Sequence, residues 1–138
     1  MRESPRRKAR IVVLKALYAC EVPENIPDDI VDTIIEDSKL APKNIEFARN
    51  FFLSVRRHEK WADDIISKLV RNWDIKRIAE LDLIILRMAM VELKYMPDIP
   101  AKVALNEAIE LAKKFSTGES PSFINGILDN FLKKIDSF

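Results

Sequence analysis

Apolar residues recur at spacings of three and four positions along almost the whole 138-residue chain, and strand-like alternation is absent. Seven prolines and only two glycines punctuate this pattern. Because proline cannot continue through a helix interior, the proline-containing segments mark where helices end and begin. The pattern predicts an all-α protein of about seven helices, joined by short links and arranged as two small packed helical bundles.

Cap residues and prolines also give approximate helix boundaries. Ser4 with Pro5 begins the first helix, since serine caps helix starts and proline fits the first position, and this helix is expected to end near Glu21. The second helix is expected to begin at Asp28 or Asp29, the third at Pro42 and the fourth after 56–58. The fifth should span 75–95 and be the most buried, and the sixth should begin at Pro100. The seventh should begin with a Ser120 cap and Pro121 and end near Ile135. We interpret 1–138 as a single domain with an amino-terminal bundle at about 1–70 and a carboxy-terminal bundle at about 71–138.

Composition indicates a soluble, globular protein, with 48% hydrophobic and 33% charged residues. The longest nearly apolar stretch, 81–93, is shorter than the roughly 20 residues that cross a bilayer, so we expect no membrane span. Cys20 is the single cysteine and cannot form an internal disulfide, while Lys15 and bulky Tyr18 disfavour a lipoprotein signal that ends at it. These features favour a cytoplasmic location.

Positive charge is concentrated at the amino terminus. The first 20 residues carry a net charge of +5, residues 21–64 carry −5, and the whole chain carries only +1. Cations in the first turn of a helix oppose its macrodipole, and Arg6 and Arg10, one turn apart, repel each other. A surface that binds an anion explains this arrangement better than an ordinary solvated helix end does.

An aromatic side chain accompanies the cations of the first helix. Tyr18 lies three turns after Arg7 and on the same stripe as Lys15. Cations that neutralise phosphates and an aromatic ring that stacks on a base are the usual means of binding single-stranded RNA. The first helix is therefore predicted to bind RNA, and the alternatives that stay open are a plain solvated surface and a membrane-surface or acidic-protein partner. The candidate RNA-binding residues are Arg6, Arg7, Lys8, Arg10, Lys15 and Tyr18.

Catalytic and metal-binding patterns find little support. His58 is the single histidine, stands at a helix joint, and has no metal-ligand spacing around it, so we interpret it as a surface or capping residue. Cys20 has no histidine close in sequence, and Asp63 and Asp64 diverge around their helix. There is no glycine-rich phosphate loop. The sequence predicts that the chain is not an enzyme and has no catalytic residues, no metal and no cofactor.

A glycine and two asparagines also interrupt two apolar helices. Gly126 lies within "SPSFINGILDNF", where a mid-helix glycine is best explained by close approach of another helix. Asn125 beside it, and Asn106 in the preceding helix, are expected to be buried and hydrogen-bonded to each other or to helix-end carbonyls. Phe123, in the first turn of its helix, is either a core residue or a stacking platform.

Three segments together resemble the bacterial transcription antitermination factor NusB family: "RRKARIVVLKALYACE", "ILRMAMVELKYMPDIPAKVALNEAIELAKKFS" and "FINGILDNF". The resemblance covers essentially the whole chain and is weakest over 22–70. It implies two packed helical bundles and a factor that binds boxA RNA of ribosomal RNA operons. In that role it would act with the small-subunit ribosomal protein NusE in the antitermination complex of RNA polymerase.

The resemblance also implies roles for individual residues. The arginine-rich start and Tyr18 match the family's RNA-binding motif, Phe123 matches a phenylalanine near the RNA, and Lys102 falls at a basic position. Asp82 and Arg87 correspond to the region where the ribosomal partner is expected to dock.

Three alternatives stay open at this stage. A similar domain accompanies some ribosomal RNA cytosine methyltransferases, which applies if the chain is a fragment. A helical protein–protein adaptor that does not bind RNA is a further possibility. The amphipathic first helix could also pair with its own copy in a homodimer and thereby hide the RNA surface.

Overall fold

The computed structural model describes residues 3–23, 27–70 and 74–138. Within these ranges the chain forms seven α-helices and two 3₁₀ turns and contains no β-strand, so the all-α prediction is confirmed. The helices are α1 (Pro5–Ala19), α2 (Pro27–Glu36), α3 (Pro42–Arg57), α4 (Glu59–Leu69), α5 (Glu80–Tyr95), α6 (Ala101–Phe115) and α7 (Ser120–Lys133). The 3₁₀ turns are Ile75–Arg77 and Ile135–Ser137.

The chain divides into two compact units, Met1–Arg56 and Arg57–Phe138. The sequence pattern places the boundary between bundles near residue 70, but α4 lies in the second unit, where it packs against α5 and α7. Trp61 of α4 explains this placement, because its ring centroid lies 5.1 Å from that of Tyr95 and 6.0 Å from that of Phe131. Edge-to-face aromatic pairs of this kind bury large apolar areas.

The start of α1 is set by its cap, as the sequence predicts. Ser4 has an extended backbone, and its Oγ accepts a hydrogen bond from the Arg7 backbone N–H at 3.1 Å. Pro5 occupies the first helical position, where its missing N–H leaves no helical hydrogen bond unmade. The helix ends at Ala19, slightly earlier than the expected Glu21.

The first unit holds α1 along α2. An ion pair between Arg49 and Asp32 (2.6 Å) joins α3 to α2, although both side chains remain substantially exposed. Apolar side chains of all three helices are buried, which positions α1 on a fixed support. Those of α2 and α3 are Val31, Ile35, Ala48, Phe51, Phe52 and Val55.

In the second unit α5 contacts α4, α6 and α7 and buries nine of its 16 residues. It begins at Glu80, whereas the pattern predicts one helix over 75–95. Asp74 accepts a hydrogen bond from the Lys76 backbone N–H (3.0 Å) and caps a separate 3₁₀ turn, after which Ile78 is extended. No helix in the described ranges is long and apolar enough to span a bilayer.

The start of α7 differs from the prediction. Ser120 is a helical residue rather than the cap, and its buried Oγ donates to Asp82 Oδ2 at 2.9 Å. Gly126, Asn125 and Asn106 are exposed, and a Cβ at Gly126 would meet no atom within 4 Å. The predictions of close helix approach at Gly126 and of buried, hydrogen-bonded amides are therefore wrong.

Candidate nucleic-acid interface

The charged side chains of α1 lie on two faces of the helix. Arg6 and Arg10 are one turn apart on one face, whereas Lys8 and Lys15 are two turns apart on the opposite face. Tyr18 lies three residues beyond Lys15 and is 45% exposed. Lys8 and Lys15 are also exposed, so these two ammonium groups and the phenol ring form a surface on α1, which we call the lysine–tyrosine face.

The opposite, arginine face packs on an aromatic ring of α3. The guanidinium carbon of Arg6 lies 4.0 Å from the Phe47 ring centroid, and that of Arg10 lies 5.5 Å from the same centroid. Arg6 is exposed, but Arg10 is only 3% exposed, although the sequence pattern groups it with the RNA-binding cations. A guanidinium is weakly hydrated and is attracted to aromatic faces, so the Phe47 ring lowers the cost of burying Arg10.

The amino-terminal end of α1 strengthens the positive potential of this helix. No acidic residue lies in its first turn, and the backbone N–H groups of that turn carry partial positive charge. Arg7, which is partly buried, lies between the two faces. The amino-terminal end of α1 therefore carries several positive charges, and the exposed ring of Tyr18 lies near the opposite end of the same helix. Cations and an aromatic ring are the groups that bind a single-stranded polyanion.

Two predicted RNA-binding residues belong to the second unit. Lys102 is exposed in the first turn of α6. Phe123, half-buried in the first turn of α7, borders a cavity of about 620 Å³. Arg77, Thr117 and Ser122 also line this cavity, and sequence reasoning missed them. The hydroxyl-rich loop "STGES" before the start of α7 is the sequence signal that could have indicated this cavity.

The residues predicted to contact a protein partner make internal contacts. Asp82 is 6% exposed and accepts hydrogen bonds from Ser116 Oγ (2.6 Å) and Ser120 Oγ (2.9 Å). Arg87 donates from Nε and Nη2 to the two carboxylate oxygens of Asp63, at 2.7 and 2.8 Å. Asp82 thus ties α5 to the α6–α7 junction, and Arg87 ties α5 to α4.

Nothing in the described ranges is arranged as a metal centre: no group of three or more His, Cys, Asp or Glu side chains could hold an ion there. His58 precedes α4, and its side chain caps no helical N–H. Its imidazole instead stacks on Tyr95, with ring centroids 3.9 Å apart and planes 16° from parallel. His58 thus occupies the cap position that the sequence predicts, but without a side-chain hydrogen bond to the helix.

Comparison with known proteins gives one family. The model of the NusB family matches residues 7–133. The transcription antitermination protein NusB of Desulforamulus reducens is 37% identical over 131 residues, which cover 95% of this chain and 92% of the relative. The structure of T. maritima NusB superposes with a TM-score of 0.87 at 34% identity and covers 96% of this chain and 94% of that chain.

A further solved structure has the same fold at lower sequence identity. It is a crystal structure of antitermination factors NusB and NusE in complex with dsRNA, with a TM-score of 0.83 and 22% identity. The match covers 94% of this chain and 96% of that chain.

These matches define an all-helical protein of the transcription antitermination class. The chain belongs to the NusB family. Because the relatives matched over nearly their full length are transcription antitermination proteins, the prediction that the chain is not an enzyme is confirmed.

Proposed function

We propose that this chain is a transcription antitermination factor that binds the boxA element of ribosomal RNA operons together with the ribosomal protein NusE. It does so as part of the antitermination complex of RNA polymerase, in the cytoplasm. Support comes from relatives named transcription antitermination protein NusB and from the fold shared with a NusB–NusE–RNA complex.

The observation that carries the proposal is the exposed lysine–tyrosine face of α1. Lys8 and Lys15 are available to neutralise phosphates, and the exposed ring of Tyr18 is available to stack on an unpaired base. Phosphate contacts supply affinity that falls with salt, and the stacked ring favours a single strand over a duplex. Arg6 adds an exposed cation on the opposite, arginine face of the same helix.

The second unit supplies further contacts in this proposal. Lys102 binds a phosphate, and Phe123 stacks on a base at the edge of the cavity it borders. Asp82 and Arg87 act on NusE binding indirectly, because they hold the helices of the second unit in place through internal hydrogen bonds. A homodimer that covers α1 would compete with RNA.

The methyltransferase alternative is not favoured by any observation. The match covers 92% of the D. reducens protein and 98% of the Bacillus velezensis protein, so these relatives have no room for a further catalytic domain.

The test is a fluorescence titration of labelled single-stranded boxA RNA, with and without NusE. The wild-type protein is expected to bind modestly alone and more tightly with NusE, and Tyr18→Ala is expected to weaken binding by about 1–3 kcal/mol, the value of one stacked base. A Tyr18→Phe variant is the matched control, because it keeps a ring that can stack and removes only the hydroxyl, so it should retain wild-type affinity.

Light scattering at the concentrations of the titration separates competition by a homodimer from weak binding. Equal affinity for boxA and for a scrambled strand, in the presence of NusE, would contradict the boxA assignment. Unchanged affinity in Tyr18→Ala would remove this face of α1 from the RNA site.

A further inference from the structure

We propose that Phe47 positions the arginine face of α1 and holds Arg6 as a pre-oriented phosphate ligand, with Arg10 as its buried support. The inference rests on the proposed RNA-binding function and adds to it. It names a residue outside α1 on which the affinity for RNA depends, and it gives different roles to two arginines.

One aromatic ring serves both guanidinium groups. At 4.0 Å the Arg6 guanidinium carbon is in van der Waals contact with the Phe47 ring, and Arg10 approaches the same ring at 5.5 Å. Two cations one turn apart on a helix ordinarily repel each other. The negative face of the ring attracts both, so Phe47 offsets part of this repulsion and fixes where the two groups lie.

The two arginines differ in what remains accessible. Stacking engages the flat face of a guanidinium and leaves its N–H donors pointing outward in the plane of the group. Because Arg6 is exposed, a phosphate can approach this edge from solvent. Arg10 is 3% exposed, so it lies beneath the surface and out of reach of a phosphate. It supports the packing of the Phe47 ring against α1.

The ring itself is held in place by the core of the first unit. Phe47 packs edge-to-face against Phe51, with centroids 5.6 Å apart and planes at 65°. Phe51 is 1% exposed and therefore has a fixed position. Fixing Arg6 before RNA arrives removes part of the side-chain entropy that binding would otherwise cost.

The test compares the affinity for labelled single-stranded boxA RNA of Phe47→Leu, Phe47→Tyr and the control Phe52→Leu. Phe47→Leu removes the ring and is expected to weaken binding about two- to fivefold, while Phe47→Tyr keeps the ring and retains wild-type affinity. Phe52 is buried on the same helix, so Phe52→Leu matches the loss of a core ring but leaves RNA affinity unchanged.

A double-mutant cycle with Arg6→Gln identifies the route of the effect. If Phe47 acts through Arg6, Phe47→Leu causes no further loss of affinity in the Arg6→Gln protein. Equal weakening by Phe47→Leu in both backgrounds, or wild-type affinity of Phe47→Leu, overturns the inference. The Arg6 side-chain signals in the NMR spectrum of the wild-type protein should be displaced by the ring current. If the Arg6 side-chain signals instead have random-coil chemical shifts, the inference is overturned, and this holds even if the Phe47→Leu protein does not fold.

The failure of the proposed function gives a different result. In that case wild-type protein does not bind the RNA at low salt, and displaced Arg6 signals would then mark a purely structural contact. That result rejects both the proposed function and the positioning role. If the wild-type protein binds the RNA and Phe47→Leu binds it with the same affinity, the positioning role alone is rejected.

Discussion

Asp82 is a charged residue whose side chain is buried and hydrogen-bonded within the protein. Its two carboxylate oxygens accept hydrogen bonds from Ser116 and Ser120, and Thr117 Oγ1 lies 3.1 Å from Ser120 Oγ in the same network. A buried carboxylate requires such partners, because burying a charge without them is strongly unfavourable. The network fixes the α6–α7 junction, and Asp82 and Ser120 line the same cavity as Phe123.

Removal of this carboxylate should destabilise the protein. Asp82→Ala is expected to lower the free energy of unfolding by about 1.5–3 kcal/mol, the usual value of hydrogen bonds to a charged group. Denaturation by urea measures the loss. Glu80→Ala is the control, since Glu80 lies in the same first turn of α5 but is exposed. Equal stabilities of the two variants would show that the hydroxyl contacts do not stabilise the native state.

Sequence reasoning at the residue scale succeeded where the cause is local. Ser4 caps α1 because serine and proline signal a helix start through their own side chains. It failed where the cause is distant in the chain. Neither the burial of Arg10 over Phe47 nor the pairing of Ser120 with Asp82 is visible in the local pattern, because each partner lies on another helix.

At the scale of elements, α7 contains a glycine that the fold does not require. Gly126 is exposed in the middle of the helix, and its backbone has no positive φ. A mid-helix glycine lowers helix stability because it loses more backbone entropy on folding than alanine does.

Gly126→Ala should therefore stabilise the protein, by about 0.5–1 kcal/mol. Thermal unfolding provides the measurement. Gly118→Ala serves as the comparison, because Gly118 also has open space around it but lies outside the helices, where the helix-propensity gain does not apply. A loss of stability in Gly126→Ala would indicate a contact or a backbone requirement that the structure lacks.

The order and number of helices could be predicted from the sequence because apolar periodicity and proline placement act within each helix. The assignment of α4 to the second unit could not, since it depends on Trp61 packing against Tyr95 and Phe131. The break before α5 was missed for a different, local reason. Residues 75–79 have apolar periodicity, but Asp74 caps a short 3₁₀ turn there instead of an α-helix.

At the scale of the whole molecule, charge is separated along a chain that is nearly neutral overall. The net charge is +1, yet the first 20 residues carry +5. A local positive field attracts a polyanion and accelerates its association, while the low net charge limits nonspecific binding. This separation is consistent with a factor that depends on a partner for full affinity.

The candidate site could be predicted in part from sequence. The exposed positions of Lys15 and Tyr18 agree with the helical stripe that the pattern predicts, whereas Arg7, the third residue of that stripe, is partly buried. The division of the cations into two faces, one of which packs on Phe47, required the structure.

The central claim is that the lysine–tyrosine face of α1 binds the RNA backbone, and the salt dependence of boxA RNA affinity tests it most directly. The double variant Lys8→Ala/Lys15→Ala should reduce the slope of log Kd against log salt by about 1.4, or roughly 0.7 per lost phosphate contact. The control is Lys133→Ala/Lys134→Ala, which removes the same charge from exposed lysines at the end of α7. Slopes that are unchanged in the first variant, or equally reduced in both, would contradict the claim.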